Sequence, residues 1–539
     1  MRQTIFWTGL LATVLCTSCG PQSVATDAAA GLRKDSVLWR SHFVGGTRLE
    51  GNTNATRWVK LAAAPIAQQL RDQTLRKLAT APFRALQDKM PAGAKDQAES
   101  WQPLLADLLR AESFVEWRGT SNRIDQFALA IKLPDDRAKA WSANLGTILK
   151  AWTGIAPVPF TQGNVSGWQL RKHDPPNLFG VARVGTWVVV GAGQDALSLF
   201  NAFIGSLKTG AAPFAVDAGV WGEAWADWPQ LEAHLPFSLP VHPPQAHLTI
   251  TGKDNFIRLN GGLEFDRSLN WRPQPWRIPE TLIREPLISF TAVRGVAPVL
   301  QQDEFLRQWK FKSVPDEAYV WAMDGVPFAT FVAAPTTDAA AQIQSFGPDL
   351  QARYNPLLAQ RRLGSLEMST NRDALSWRGL PIVIPHLSAT KDGANDFLFG
   401  GLFPNAPKAK PPPGELFDQV RGRKTLAYYD WEVTEPRLKQ WKVLSQLNQI
   451  MDRQPPLRTN MLAVQWLNSV TTNLGNTVTE ITVSGDRQMT LTRKAPIGLT
   501  AYELVALTTW LEATNFPFST RVSPASPTGL RAVKTQAKP

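Results

Sequence analysis

The stretch FALAIKLPDDRAKAW, Phe127–Trp141, is met again 201 residues later as FATFVAAPTTDAAAQ, Phe328–Gln342. Phenylalanine, alanine, an aliphatic residue (Ile131 or Val332), proline (Pro134 or Pro335) and alanine (Ala138 or Ala339) recur in step. Each copy reads as a strand followed by a helix opened by proline. Three more correspondences follow in the same order: GWQLR with LSWRG, VWGEAWADWPQL (Val220–Leu231) with LAYYDWEVTEPRL (Leu426–Leu438), and LTITGKDNFIRL (Leu248–Leu259) with ITVSGDRQMTLT (Ile481–Thr492). Four matches in order predict a tandem duplication, its offset drifting from 201 to about 233 through insertions.

Each half opens on its own strand, VLWRSHFVGG from Val37 and LISFTAVRG from Leu287. Alternating apolar residues around Gly252 and Gly485 predict closing hairpins with those glycines at the turns. Short turns between strands mean antiparallel pairing, so the expected fold class is α+β: two mostly antiparallel sheet-plus-helix halves. Helical spacing is plain over Pro65–Met90, Glu435–Met451 and Thr500–Leu511, the last opening on a Thr500/Glu503 capping box. The expected divisions are a signal peptide at 1–18, a tether at 19–35, a first half at 36–270, a proline-rich linker at 271–286, a second half at 287–516 and a disordered basic tail at 517–539.

The chain has 539 residues, 44% apolar and 19% charged, which is globular composition. Four of its twelve net positive charges (Arg521, Arg531, Lys534 and Lys538) lie in the tail, and no basic cluster interleaved with aromatics points to nucleic acid. The N-terminus is Met1-Arg2, an eleven-residue apolar run Ile5–Leu15, then CTSCG. That run is too short to span a bilayer but suits a signal-peptide core. With Thr17-Ser18 before Cys19 it resembles bacterial lipoprotein precursors, although Cys16 stands where leucine is usual. The resemblance implies export, lipidation at Cys19 and anchoring to a membrane of the cell envelope. Cleavage near Ala28–Ala30, giving a soluble exported protein, is the alternative. Cys16 and Cys19 are the only cysteines, so the body has neither disulfide nor thiol ligand.

Several motifs invite chemistry. TWVVVGAGQDALSLF, Thr186–Phe200, is close to a dinucleotide-binding fingerprint, but Thr186–Val190 reads as the second arm of a hairpin, whereas such a site needs a parallel strand. No cofactor is expected there. In YYDWEV, Tyr428–Val433, Asp430 and Glu432 face one side of a strand. The segment is similar to the end of the strand motif of chitinase-type glycoside hydrolases, yet the upstream aspartates are absent, and the default is a pair of solvent-facing acids. Three of the six histidines, His234, His242 and His247, lie close together but are separated by prolines and lack carboxylates, so no metal site is expected. No catalytic constellation stands out. Tryptophan, with 21 copies, is the compositional oddity; Trp225 and Trp431 hold matched places and are the candidate lining of a ligand groove.

The first functional expectation is a non-enzymatic, membrane-tethered envelope lipoprotein acting as a scaffold or binding an envelope protein. A carrier of a lipid or other apolar ligand is the alternative, and an enzyme acting on envelope glycans is third. Filled cores favour the scaffold, a continuous apolar cavity of several hundred Å³ the carrier, and a cleft with two converging carboxylates the enzyme.

Overall fold

Runs of alternating apolar and polar residues cannot bury one face as helices, and among the described residues they form twenty strands. The computed structural model describes residues 36–517 apart from 87–90, 93–94, 121–122, 174–175, 195, 232–243, 303–310, 312–313, 326–328, 381–382, 404–409, 452–456 and 515. The expected signal peptide and tether with Cys19, the expected tail beyond Pro517, and Phe328, His234 and His242 lie outside the described residues.

The first ten strands are β1 (Ser36–Phe43), β2 (Ser113–Thr120), β3 (Arg123–Lys132), β4 (Val158–Gln162), β5 (Val165–His173), β6 (Pro176–Val184), β7 (Trp187–Gly193), β8 (Gly222–Ala226), β9 (Gln245–Lys253) and β10 (Phe256–Glu264). The second ten are β11 (Leu287–Arg294), β12 (Glu317–Met323), β13 (Thr330–Thr336), β14 (Ser365–Met368), β15 (Ala374–Arg378), β16 (His386–Asp392), β17 (Asn395–Gly401), β18 (Leu426–Val433), β19 (Asn476–Gly485) and β20 (Gln488–Ala495). Hydrogen-bonded neighbours run β4-β5-β6-β7-β3-β2-β1-β8-β9-β10 and, in the second half, β14-β15-β16-β17-β13-β12-β11-β18-β19-β20, every pair antiparallel. The strand connectivity of one half is thus repeated in the other.

β10 pairs with β20, joining both runs into one sheet, with Asn260 opposite Thr492. Counting outward from that pair, Thr249, Glu223, His42, Phe114 and Ala130 occupy one row on the first side. Glu480, Tyr429, Ala292, Tyr319 and Ala333 occupy the same row on the other. Ala130 and Ala333 therefore correspond, an offset of 203 instead of the 201 suggested by the written match. Pro335 accordingly lies inside β13, and the helix after it is capped by the Asp338 side chain, which accepts from Ala341 N. Nor does Gly252 sit at its hairpin turn: Asp254-Asn255, at φ 56° and 59°, make the turn. Gly252 is glycine because a Cβ there would lie 1.9 Å from the Trp221 ring.

The longer helices are α1 (Thr56–Ala63), α2 (Pro65–Leu86), α3 (Ala98–Arg110), α4 (Asp135–Thr153), α5 (Ser198–Lys208), α6 (Ala339–Arg361), α7 (Thr434–Met451), α8 (Leu462–Val470) and α9 (Ala501–Glu512). In the first half α3 and α4 cover one sheet face, packing Leu104, Trp141, Leu145 and Ile148 on Leu129, Trp168 and Val181. The opposite face is covered by α5, whose Phe200 and Phe203 meet Ala128, Ala130 and Val189. In the second half that opposite face is sealed by the segment Ile278–Leu287 and a short helix, Gly414–Asp418, over Phe290, Trp321, Phe331 and Phe399. The proline-rich 271–286 segment, with neither helix nor strand, thus contributes Ile278, Leu282 and Ile283 to a core. Among the described residues, no helix is long and apolar enough to cross a membrane.

β7 is antiparallel to both β3 and β6, so the Gly191/Gly193 stretch lacks the parallel strand that a dinucleotide site requires. A Cβ on Gly191 would fall 2.5 Å from Phe200 Cβ, so the glycine lets α5 lie close on the sheet.

Candidate functional site

On the face that α3 and α4 cover in the first half, one row of side chains reads Gly261, Leu248, Ala224, Ser41, Val115, Leu129, Val190, Val181, Trp168. It is small or apolar and mostly packed under helices. The corresponding row of the second half reads Arg493, Thr479, Asp430, Thr291, Val320, Val332, Gly400, Leu387, Leu375. This row, under α6, α7 and α9, floors a cavity of about 880 Å³. The alternation shows it directly: in β12 every residue is buried except Val320, the one at the cavity floor.

The cavity has two unlike ends. Toward the sheet edge it is apolar, with Leu350, Tyr354, Leu357 and Leu358 of α6 facing Leu375 and Leu387. Their spacing of four, seven and eight residues puts them on one helix face. Toward the middle of the sheet it is ionic. Asp430 and Glu432 of β18, Arg437 of α7, Arg493 of β20 and Glu503 of α9 all line it. The residue types follow from local structure, since Asp430 and Glu432 alternate with Trp431, which points to the opposite face and packs on the aromatic core.

The acids are not solvent-facing, as the sequence had suggested: Asp430 is 9% exposed and Glu432 4%. What puts them inside is the chain that follows, because α7 and α9 fold over this end of the sheet. Thr291 Oγ1 donates to Asp430 Oδ1 at 2.6 Å, and the backbone N–H of Ala501, at the start of α9, donates to Glu432 Oε1 at 2.7 Å. Arg493 is held on all three nitrogens: Nη1 and Nη2 donate to Glu503 at 2.7 and 3.0 Å, and Nε donates to Thr479 Oγ1. Glu503 completes the capping box with Thr500. Arg437 Nη1 donates to Thr330 Oγ1 and Gln440 Oε1, and the guanidinium lies 4.7 Å from the centre of the Trp441 ring. Among the described residues, no cationic nitrogen comes within 4.0 Å of either Asp430 or Glu432.

Burial and the neighbouring Asp430 charge push the Glu432 carboxyl up to about 7, while burial also raises Asp430. Burial lowers Arg437 to about 10 despite both carboxylates, and raises Tyr428 well above its ordinary value. Because Glu432 binds its proton more tightly folded than unfolded, it favours the fold below the ordinary glutamate range. That contribution is lost as pH rises toward 7. Glu432→Gln, which keeps the shape of the protonated form, is expected to flatten the decline between about pH 4.5 and 7 and to be the more stable protein at pH 8, by roughly 1–3 kcal/mol. Urea midpoints at pH 5, 6, 7 and 8 measure it; parallel curves for the two proteins would refute the buried-proton account.

Trp225 and Trp431 occupy matching rows, each two residues beyond the Glu223/Tyr429 position. They are not brought together. Five strand spacings separate β8 from β18, about 24 Å at ~4.8 Å each, and neither tryptophan lines the cavity. Trp377 and Trp441 line it instead. Of the histidines, His42 lies 3.3 Å from Glu112 Oε1 and His247 2.8 Å from Glu223 Oε1, while His386 lines the cavity with its pKa lowered by burial. No cluster of three metal-ligating side chains occurs among the described residues. A polar row of Arg493, Thr479, Asp430 and Thr291, where its counterpart is Gly261, Leu248, Ala224 and Ser41, was the signal available in the sequence. Reading it required the strand register. No family model, curated protein or solved structure matches the chain.

Proposed function

We propose that this protein binds and carries an elongated amphipathic molecule in the second-half cavity, without transforming it. One observation carries the reading: the second-half row floors about 880 Å³, apolar at one end and ionic at the other, where the first-half row from Val115 to Trp168 is packed under helices. Such a volume is that of a small-molecule site. From Asp430 to Leu387 the floor crosses five strand spacings, about 24 Å along the sheet, so a long, narrow ligand suits it better than a compact one. In this reading the chain arose by tandem duplication, supported by the repeated connectivity, with one half keeping a solid core and the other opening a cavity. Anchoring at the envelope through a lipid on Cys19 is supported by the N-terminal sequence and would place a lipid carrier beside its cargo.

The paired acids are the one observation favouring a glycan-active enzyme. Both, however, project from the same side of one strand, whereas glycosidic cleavage wants carboxyls flanking the bond; the third acid, Glu503, is held by Arg493. Native mass spectrometry of the full-length protein, purified gently from its own membrane, tests the proposal. A lipid-like adduct of defined mass supports the carrier, a glycan adduct would favour the enzyme, and a clean apo mass that no added amphiphile shifts would refute carriage.

A further inference from the structure

Building on the carrier reading, we infer that the cargo carries a cationic head, a primary ammonium or similar group, seated against Asp430 and Glu432, with its chain running toward α6. Two carboxylates, each more than nine-tenths buried, line a cavity with no cationic nitrogen within 4.0 Å among the described residues. Thr291 donates to Asp430, and Ala501 N and the Thr434 hydroxyl donate to Glu432, so the donors they have are neutral. A carboxylate taken from water with no cation in contact is costly, and the nearby Arg437 balances only one of the two, so this end of the cavity favours a cation in direct contact.

The surrounding groups decide the sign. On β18 the acids stand with the Tyr428 phenol, which burial keeps protonated. α7 contributes Arg437, β20 contributes Arg493, and α9 contributes Glu503 and Tyr502; β11 contributes only the hydroxyls of Ser289 and Thr291 and β19 that of Thr479. Arg493 and Glu503 neutralise each other through two hydrogen bonds, and Thr479 Oγ1 holds the Nε of the same guanidinium. Arg437 then faces two carboxylates, one negative charge in surplus when both are ionised. Arg361 lines the cavity too, but from the exposed end of α6, and His386 stands at the apolar end on β16. In the empty cavity the surplus is removed by a proton on Glu432, pushed up to about 7. An ammonium head replaces that proton, so uptake of the cation releases up to one proton, about half of one near pH 7, and tightens as pH rises.

The experiment compares decylamine, decanol and decanoate, below their aggregation concentrations, with the full-length protein freed of co-purified lipid, by calorimetry at pH 6, 7 and 8. Expected is a preference for decylamine over decanol of at least about tenfold at pH 8, with decanoate weakest and the preference narrowing toward pH 6 by up to about tenfold per unit. Titration of wild-type protein in two buffers of different ionisation enthalpy reads the released proton directly and depends on no variant. Glu432→Gln and Asp430→Asn are each expected to lose most of the preference for decylamine over decanol. Equal affinity for the three heads, or a preference for decanoate, overturns the cationic head and leaves the carrier standing. Failure of all three to bind overturns both.

Discussion

Val320→Trp is expected to close the cavity. Val320 sits mid-floor between Thr291 and Val332, and it is the one residue of β12 left half-buried, because its side chain looks into open space. Indole added at a packed position would force neighbours off their rotamers; here the added volume enters the lumen, so the fold is expected to lose no more than about 1 kcal/mol. Ligand affinity is expected to fall at least about 100-fold, close to 2.8 kcal/mol at 1.4 kcal/mol per factor of ten. Disappearance of the native-mass adduct, with an unchanged circular dichroism spectrum and urea midpoint, is the result that checks it. A variant that folds and still retains its adduct would show that the ligand is held elsewhere.

Trp321→Ala, one residue along the same strand, is expected to do the reverse. Trp321 is 0% exposed and points to the dry face, stacked on Phe331 at 5.7 Å and on Phe399 at 5.9 Å between ring centres. Removing the indole strands Phe290, Phe331 and Phe399 around a void, since those rings are fixed by neighbouring strands and cannot collapse into it. The expected loss is about 3–5 kcal/mol, the usual cost of such a truncation. Among the described residues the Trp321 N–H has no hydrogen-bond partner, so the ring is present for its packing. Trp321→Phe is therefore expected to recover more than half of the loss, because it restores most of the contact and leaves no unpaired donor. Urea unfolding of the three proteins measures both steps. Equal stability of the alanine variant and the wild type would mean that this face is not a packed core.

The opposite outcomes at neighbouring positions rest on two-residue periodicity, which was legible in the sequence. So were the antiparallel pairing, the helix over Glu435–Met451, seen as Thr434–Met451, and the Thr500/Glu503 cap, whose two reciprocal bonds both form. These features are decided within a few residues, where backbone sterics and nearest hydrogen-bond partners act. The Gly191 stretch was also legible, since the short turn before Trp187 already implied a hairpin arm. Asp430 and Glu432 are legible as sharing a face, but their burial is not, because polar strand residues ordinarily lie in solvent.

By itself, then, the amino-acid sequence determined where strands and helices form, that consecutive strands run antiparallel, and which side chains share a face. Only the tertiary structure decided which face is wet. The helices over Asp430 and Glu432 come from residues 434–451 and 501–512, and the pairing that merges both halves joins Asn260 to Thr492. No local rule sets those contacts. They form because the apolar faces of α7, α8 and α9, with Leu438, Leu467 and Leu504 fully or almost fully buried, gain more by packing together than by staying in water. Closing those helices over the sheet carries the two acids out of solvent with them.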